Sequence, residues 1–251
     1  MKRFFTLLAY EITRTLHRPL AWVVLACFLF LCGLNFQNSL TTLNGSSAHI
    51  TLAEAFFNSL FLWFPFLLLP PIVTMRVFSE EYRLGTIESL MTAPVRDHQI
   101  VLAKFLGALT FYAFLWMPTL LLFGLFWLVS NSPPAETIPG LLGGYILVLA
   151  AGTLFVSAGC LFSSLTDNQI VAAIMTFSFI CGHFFLGLIW FLFPSSSPVF
   201  RQVAYYISTI EHMADFSRGI FDSRPLAFYL TTSALCLFIT YQILKSRRWR
   251  S

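Results

Sequence analysis

Long apolar runs alternate with short polar connections along this 251-residue chain. Each run approaches or exceeds the roughly 20 residues that an α-helix needs to cross the hydrocarbon layer of a membrane. Because lipid offers the backbone no hydrogen-bonding partner, we interpret these runs as helices and not as strands. The six predicted spans are residues 20–36, 55–78, 100–129, 138–165, 170–193 and 226–244.

Composition agrees with this pattern, since 57% of the residues are hydrophobic and only 10% are charged. Soluble domains carry about 25% charged residues, so this chain is too apolar to fold as a soluble globule. The five cysteines lie in apolar stretches without metal-ligand spacing, which favours buried free thiols. The sequence therefore predicts an all-α integral membrane protein with a single transmembrane domain over residues 1–251.

The distribution of basic residues predicts the orientation of the spans. Of the 15 lysines and arginines, 12 lie at the N-terminus, at or between the facing ends of spans two and three, or at the C-terminus. Cytoplasmic loops of membrane proteins carry the excess of basic residues. We therefore expect a multi-pass protein of the cytoplasmic (inner) membrane with both termini in the cytoplasm. Membrane lipids are expected partners, and nucleic acid is not.

Residues 1–19 form an amphipathic segment ahead of the first span. On a helix, one arc is apolar and contains Phe4, Phe5, Leu8, Ile12 and Leu16. The opposite arc is mostly basic, which suits a helix lying at the headgroup boundary, and Pro19 ends or bends it. The alternative is that this segment simply extends the first span.

The stretch of residues 79–97, SEEYRLGTIESLMTAPVRD, gathers charges directly after the second span. Its apolar residues share one face of a short helix and are Leu84, Ile87, Leu90 and Met91. Gly85 precedes the apolar turn, and Pro94 ends it. An exposed apolar face of this kind needs a cover, and the pattern alone leaves open whether lipid or a protein partner provides it.

A family resemblance begins at residue 74 with TMRVFSEEYRLGTIESLMTAPVRDHQIVLAKFLGAL. This segment resembles the first cytoplasmic loop of ABC-2 (type-2) exporter permeases, through the acid pair Glu80–Glu81, the motif at 85–94 and the lysine at 104. Residues 163–174 and 211–224 resemble further family segments. The resemblance is greatest to the gliding-motility branch, the GldF-type permease subunit.

The resemblance implies an ABC-2 (type V exporter-like) permease fold. Residues 1–19 would be its connecting helix, 79–97 its coupling-helix loop and 194–225 an external helical segment. In such permeases the coupling helix sits in a groove of a separate ATPase, whose closure rocks the spans. This chain has no G-x-x-x-x-G-K-[ST] motif to hold ATP phosphates. We therefore expect no cofactor or catalytic residue here, with ATP and Mg bound by an ABC ATPase subunit.

The same resemblance assigns roles to individual residues of the loop. The residues expected to pack into the ATPase are Leu84, Ile87, Leu90 and Met91. The residues expected to form ion pairs at its rim are Glu80, Glu81, Arg83 and Glu88. Gly85, Thr86 and Pro94 complete the predicted coupling site. A second permease subunit, identical or related, would complete a twelve-span translocator that exports its substrate.

Few polar residues lie inside the spans. His183 is either a pathway residue or an imidazole hydrogen-bonded to a neighbouring helix. Arg76 and Lys104 are expected to extend to the cytoplasmic surface. The glycines of span four are Gly140, Gly144, Gly152 and Gly159. They allow helices to approach closely, either within one subunit or between subunits. The prolines that interrupt helical hydrogen bonding are Pro65, Pro70, Pro71 and Pro118.

Two other functions remain open. The acid pair, Arg83 and His183 resemble parts of a CAAX-type intramembrane metalloprotease, although the spacing is E-E-x-R and only one histidine lies deep in a span. A non-transporting membrane assembly or anchoring factor would have the same fold. Glu211, His212 and Asp215 share a helix, but without a second cluster at ligand spacing we predict no metal site.

Overall fold

The computed structural model describes residues 2–45, 50–87, 95–130, 137–192 and 198–248. Within these ranges every regular element is an α-helix. The helices are α1 (Lys2–Leu16), α2 (Pro19–Gly45), α3 (Leu52–Phe57), α4 (Leu60–Thr74), α5 (Ser79–Leu84), α6 (Asp97–Trp116), α7 (Thr119–Ser130), α8 (Thr137–Leu165), α9 (Gln169–Leu192), α10 (Pro198–Ile207), α11 (Thr209–Ser217) and α12 (Ser223–Arg248).

Six helical stretches of the described chain are long and apolar enough to cross a membrane. They are Pro19–Leu43, Leu60–Leu84, Asp97–Val129, Ile138–Leu165, Gln169–Leu188 and Ser223–Arg247. The predicted all-α membrane fold with six spans is therefore confirmed.

The first span continues beyond residue 36, where hydropathy placed its end. Two polar side chains near this point, Asn35 and Ser39, are buried and bonded inside the bundle. Asn35 Nδ2 donates to the Phe56 carbonyl at 3.1 Å, and Ser39 Oγ donates to the Asn35 carbonyl at 2.9 Å. A bonded polar group no longer opposes burial, so the helix extends through a stretch that looks polar in sequence.

The second span begins later than predicted, because a break separates α3 from α4. Thr51 Oγ1 caps α3 by accepting from the Glu54 amide at 3.1 Å, and Ser59 Oγ caps α4 by accepting from the Phe61 amide at 3.3 Å. At the other end, α5 continues the span through Leu84. The first residues of the charged stretch 79–97 therefore belong to the membrane-spanning helix itself.

Prolines shape spans two and three differently. Pro65, Pro70 and Pro71 lie inside α4, whereas Pro118 separates α6 from α7. The break leaves the Trp116 carbonyl without its usual backbone donor, and Thr119 Oγ1 donates to it at 2.6 Å. The third span is thus two helices joined at a proline.

The glycines of α8 allow neighbouring helices of the same chain to approach closely. Most of α8 is buried among the other helices. A methyl group added at each glycine would collide with a neighbour: Gly140 with Ser217, Gly144 with Phe57, Gly152 with Tyr112 and Gly159 with Thr74. These contacts support the interpretation of packing within one subunit.

Both chain ends lie at the same end of the bundle. Arg18 Nη2 is 2.6 Å from Glu80 Oε2, which joins the end of α1 to α5. Near the C-terminus, Arg247 lies over the Tyr82 ring at 4.3 Å and donates to the Leu165 carbonyl at 3.0 Å. We call this the basal end. The opposite end carries α3 and α11, which Asn58 joins by donating to Ser217 Oγ at 3.0 Å.

Candidate functional site

Charged side chains from α1, α5, α6 and the turn between α1 and α2 meet at the basal end, partly or fully buried. We call this group the basal ion cluster, and its members are Glu11, Arg14, Arg18, Glu80, Glu81 and Lys104. It joins the N-terminal segment to α5 and to α6. The cluster therefore ties together parts of the chain that are far apart in sequence.

Lys104 lies at the centre of the cluster, with a side chain that is 0% exposed. Its ammonium donates to Glu81 Oε1 at 2.6 Å, to Glu11 Oε1 at 2.9 Å and to the Val77 carbonyl at 3.0 Å. These acceptors use all three ammonium protons. The expectation that Lys104 extends to the cytoplasmic surface is wrong, because buried carboxylates bind it inside the bundle.

The two arginines complete the cluster from the N-terminal side. Arg14 donates to Glu81 Oε1 at 3.0 Å and to Glu80 Oε2 at 3.3 Å, and Arg18 donates to Glu80 Oε2 at 2.6 Å. Burial lowers the pKa of Arg14, but the charges of Glu11, Glu81 and Glu80 outweigh it, so that pKa is raised overall. Arg14 therefore remains a cation that bridges both members of the acid pair.

Local sequence positions each member of the cluster. Glu11, Arg14 and Arg18 recur at spacings of three and four, which places them along one side of the N-terminal segment. The start of α5 is held against α8 by Ser163 Oγ, which accepts from the Phe78 amide at 3.0 Å and from the Ser79 amide at 3.1 Å. The acid pair then falls in the first turn of α5, where the helix dipole favours negative charge.

The predicted coupling-helix loop, residues 79–97, begins with α5, which ends just before Gly85. Gly85 has a φ of 68°, a left-handed conformation that ends the helix and favours glycine. Arg83, Leu84, Gly85 and Thr86 are exposed, whereas Ile87 is buried in the core of the chain itself. Glu88, Leu90, Met91 and Pro94 lie outside the described residues.

Three of the predicted coupling residues have contacts in the structure that the sequence did not indicate. Glu80 and Glu81 were expected to form ion pairs with a partner, but both are bound by cations of this chain. Ile87 was expected to pack in the partner and instead packs internally. The partners of the acid pair come from helices distant in sequence, which no local pattern reveals.

The basal ion cluster links α5 to α1 and α6 through buried ion pairs. A buried ion pair resists separation, because removing one partner leaves an uncompensated charge at a cost of about 3–5 kcal/mol. Lys104 and Glu81 meet this condition, with side chains 0% and 8% exposed. Displacement of α5 is therefore opposed unless α1 and α6 move with it.

A second polar group lies in the opposite half of the bundle. We call it the outer polar chain, and its members are His183, Thr209, His212 and Tyr229. Thr209 Oγ1 is 2.9 Å from His183 Nε2 and accepts from the Tyr229 hydroxyl at 3.1 Å. That hydroxyl is 3.0 Å from His212 Nδ1. His183 is thus bonded to a neighbouring helix, and a role in a substrate pathway stays a prediction.

The protein environment keeps His212 neutral. Burial lowers the pKa of His212 to about 4, although Asp215 and Asp222 act in the opposite direction. No motif in the sequence marked Thr209 and Tyr229 as its neighbours. Within the described residues, no group of three or more His, Cys, Asp or Glu side chains is arranged to hold a metal ion.

Comparison with known proteins places most of the chain in one family. A family model described as ABC-2 family transporter protein matches residues 7–183. The matched range contains the whole basal ion cluster and extends to His183. A search of curated proteins found no match.

Proposed function

This chain belongs to the ABC-2 transporter family, and we propose that it is a permease subunit that exports a substrate across the cytoplasmic membrane. A separate ABC ATPase would bind ATP and Mg and supply the energy. Both termini would lie in the cytoplasm, at the basal end. A second permease subunit, identical or related, would complete the translocator, and the resemblance of residues 74–109 favours the gliding-motility (GldF-type) branch.

The observation that carries this proposal is the attachment of α5 through the basal ion cluster. One side of α5 is held by Lys104 and Arg14 through Glu81, which is 2.6 Å from the ammonium and 3.0 Å from the guanidinium. The end of α5 leaves Leu84 59% exposed. A helix fixed on one side and exposed at its end is suited to receive force from a partner.

The path of that force follows from the contacts. Pressure on the coupling-helix loop would move α5, and the cluster would transmit the movement to α1 and α6. Ser163 would transmit it to α8 through the amides of Phe78 and Ser79. Because α8 is the most buried of the spans, rotation of this helix would change its contacts with the helices around it.

The acid pair does not support the metalloprotease alternative. Its carboxylates are bound by three cations of this chain. His183 is also far along α9: measured from Gln169, the first residue of that helix, it lies about 20 Å away at 1.5 Å per residue. Bound in this way, Glu80 and Glu81 are not positioned with histidine to activate water. The alternative that the following experiment tests against transport is a non-transporting anchoring factor.

The test uses the permease co-expressed with its ABC ATPase, with ATP hydrolysis measured in nanodiscs. Leu84→Asp places a charge on the exposed end of α5 and is expected to reduce permease-dependent ATP hydrolysis about tenfold, as for a lost interface anchor. Ile220→Asp is the matched control, since Ile220 is 56% exposed and follows α11. Equal hydrolysis by wild type and Leu84→Asp would favour anchoring over coupling.

A further inference from the structure

A cavity of about 70 Å³ adjoins the basal ion cluster between α1, α2, α4 and α6. Its polar side is lined by Glu11, Arg14, Arg18, Arg76, Glu80 and Lys104. Its apolar side includes Leu20, Val24 and Ile72, which are partly exposed at the outer surface of the bundle. Since one water occupies about 30 Å³ of liquid volume, the cavity has room for a polyatomic group.

The charges around this cavity do not balance. Arg14, Arg18 and Lys104 are bound to the three carboxylates Glu11, Glu80 and Glu81. The fourth cation, Arg76, makes no ion pair or side-chain hydrogen bond among the described residues, and its Nε is buried without a partner. Counted over the described residues that surround the cavity, one positive charge is therefore left over, and Arg76 carries it.

Burial of an unpaired donor is unfavourable unless a ligand binds it. Arg76 is partly exposed, as its expected extension toward the surface requires, but its Nε is enclosed and has no partner among the described residues. A guanidinium matches a phosphate well because its N–H groups donate in pairs to neighbouring oxygens. A phosphodiester, with a single negative charge, would balance the excess cation.

The surroundings indicate that this phosphodiester belongs to an amphiphile. The cavity joins a charged wall to partly exposed apolar side chains, at the level of the amphipathic helix α1, where headgroups are expected. Basic pockets between membrane helices on the cytoplasmic side bind anionic headgroups. We propose that this cavity binds the phosphodiester headgroup of an anionic phospholipid, with Arg76 as its main ligand and the acyl chains along Leu20, Val24 and Ile72.

The bound lipid joins α1 and α2 to α4. Its headgroup contacts Arg76 on the turn after α4, and its chains follow Val24 on α2 and Ile72 on α4. Binding in the folded state raises stability by mass action, so anionic phospholipid is expected to protect the purified protein against unfolding. This inference does not depend on transport or on an ATPase.

The test compares variants in phosphatidylcholine nanodiscs with and without phosphatidylglycerol. Native mass spectrometry counts the phosphatidylglycerol retained, and thermal unfolding measures its stabilising effect. Arg76→Gln is expected to bind phosphatidylglycerol about tenfold more weakly than wild type, as for a lost charge-assisted hydrogen bond. Lys245→Gln is the matched control, because Lys245 is exposed at the basal end and does not line the cavity.

Three results would overturn the proposal. If Arg76→Gln and Lys245→Gln lose equal amounts of bound phosphatidylglycerol, the lipid is held by general attraction to surface charge and not by this cavity. Unchanged binding by Arg76→Gln would remove Arg76 from the site. Inorganic phosphate is added to the lipid-free protein in detergent as a third comparison. If it stabilises the protein as strongly as phosphatidylglycerol does, the site binds a free anion and not a lipid. If Arg76→Gln does not fold, Arg76→Ala serves instead, and binding equal to wild type refutes the assignment.

Discussion

Removal of the Lys104 ammonium is the most direct test of the basal ion cluster. Lys104→Met keeps the length and apolar character of the stem but deletes the charge. It leaves Glu81 and Glu11 without a cation that lies 2.6 and 2.9 Å from their oxygens. It also leaves the Val77 carbonyl without a donor at 3.0 Å. Loss of one partner from a buried ion pair costs about 3–5 kcal/mol.

The structure places the expected cost near the lower end of that range. Arg14 still binds Glu81 at 3.0 Å after the substitution, and the Glu11 side chain is 13% exposed, so water can solvate it in part. We therefore expect Lys104→Met to lower the free energy of unfolding by about 3 kcal/mol. Pairing it with Glu81→Gln removes the buried negative charge, and the double variant is expected to lose about 1–3 kcal/mol less than the sum of the single variants.

The assay is equilibrium unfolding in mixed micelles, followed by tryptophan fluorescence and far-UV circular dichroism. The control is Arg218→Met, which breaks the ion pair between Arg218 and Glu54 at 2.8 Å, where the arginine side chain is 57% exposed. An exposed pair of this kind contributes about 0–1 kcal/mol. The reasoning is refuted if Lys104→Met costs no more than Arg218→Met, or if the two cluster substitutions are additive.

Two further predictions concern α8 and the outer polar chain. Gly159→Leu is expected to lower the free energy of unfolding by about 1–3 kcal/mol, because its side chain collides with Thr74. The control is Gly33→Ala, where an added methyl group meets no atom within 4 Å, and it should change the free energy of unfolding by less than about 1 kcal/mol. Equal effects of the two substitutions would contradict close packing of Gly159 against Thr74. The pKa of His212 is about 4 in the folded protein against 6.5 without the fold, so the unfolded chain binds the proton first and stability falls as the pH decreases from 6.5 to 4. At 1.36 kcal/mol per pKa unit, His212→Gln should remove up to about 3 kcal/mol of that decrease. The measurement is the free energy of unfolding against pH, and a profile parallel to that of wild type would show that His212 does not contribute.

The charged stretch 79–97 illustrates how far local pattern reaches. Its concentration of charge and its acid pair could be read directly from the sequence. That the second span continues to Leu84 and that Gly85 ends α5 came only from the structure. The partners of Glu80 and Glu81 could not be read from the sequence either, because Arg14 and Arg18 lie more than sixty residues away. A charge looks the same in sequence whether it faces solvent, a partner or a buried cation.

The boundary of the first span shows the same limit. Hydropathy ended it where Asn35 and Ser39 begin a polar stretch, but both side chains are bonded within the bundle. The number of spans was nevertheless predicted correctly, since the energy of inserting about 20 apolar residues in lipid far exceeds the effect of one polar side chain.

By itself, the sequence determined that the chain lies in a membrane, how many times it crosses and that the spans are helices. Lipid allows an apolar chain few ways to satisfy its backbone hydrogen bonds. Only the tertiary structure decided that Lys104 lies buried between two carboxylates and that the glycines of α8 pack against residues of the same chain. It also decided that Arg76 has no counter-charge among the residues that the structure describes. Hydropathy is a property of neighbouring residues, whereas the balance of charge and volume in a bundle depends on which helices meet.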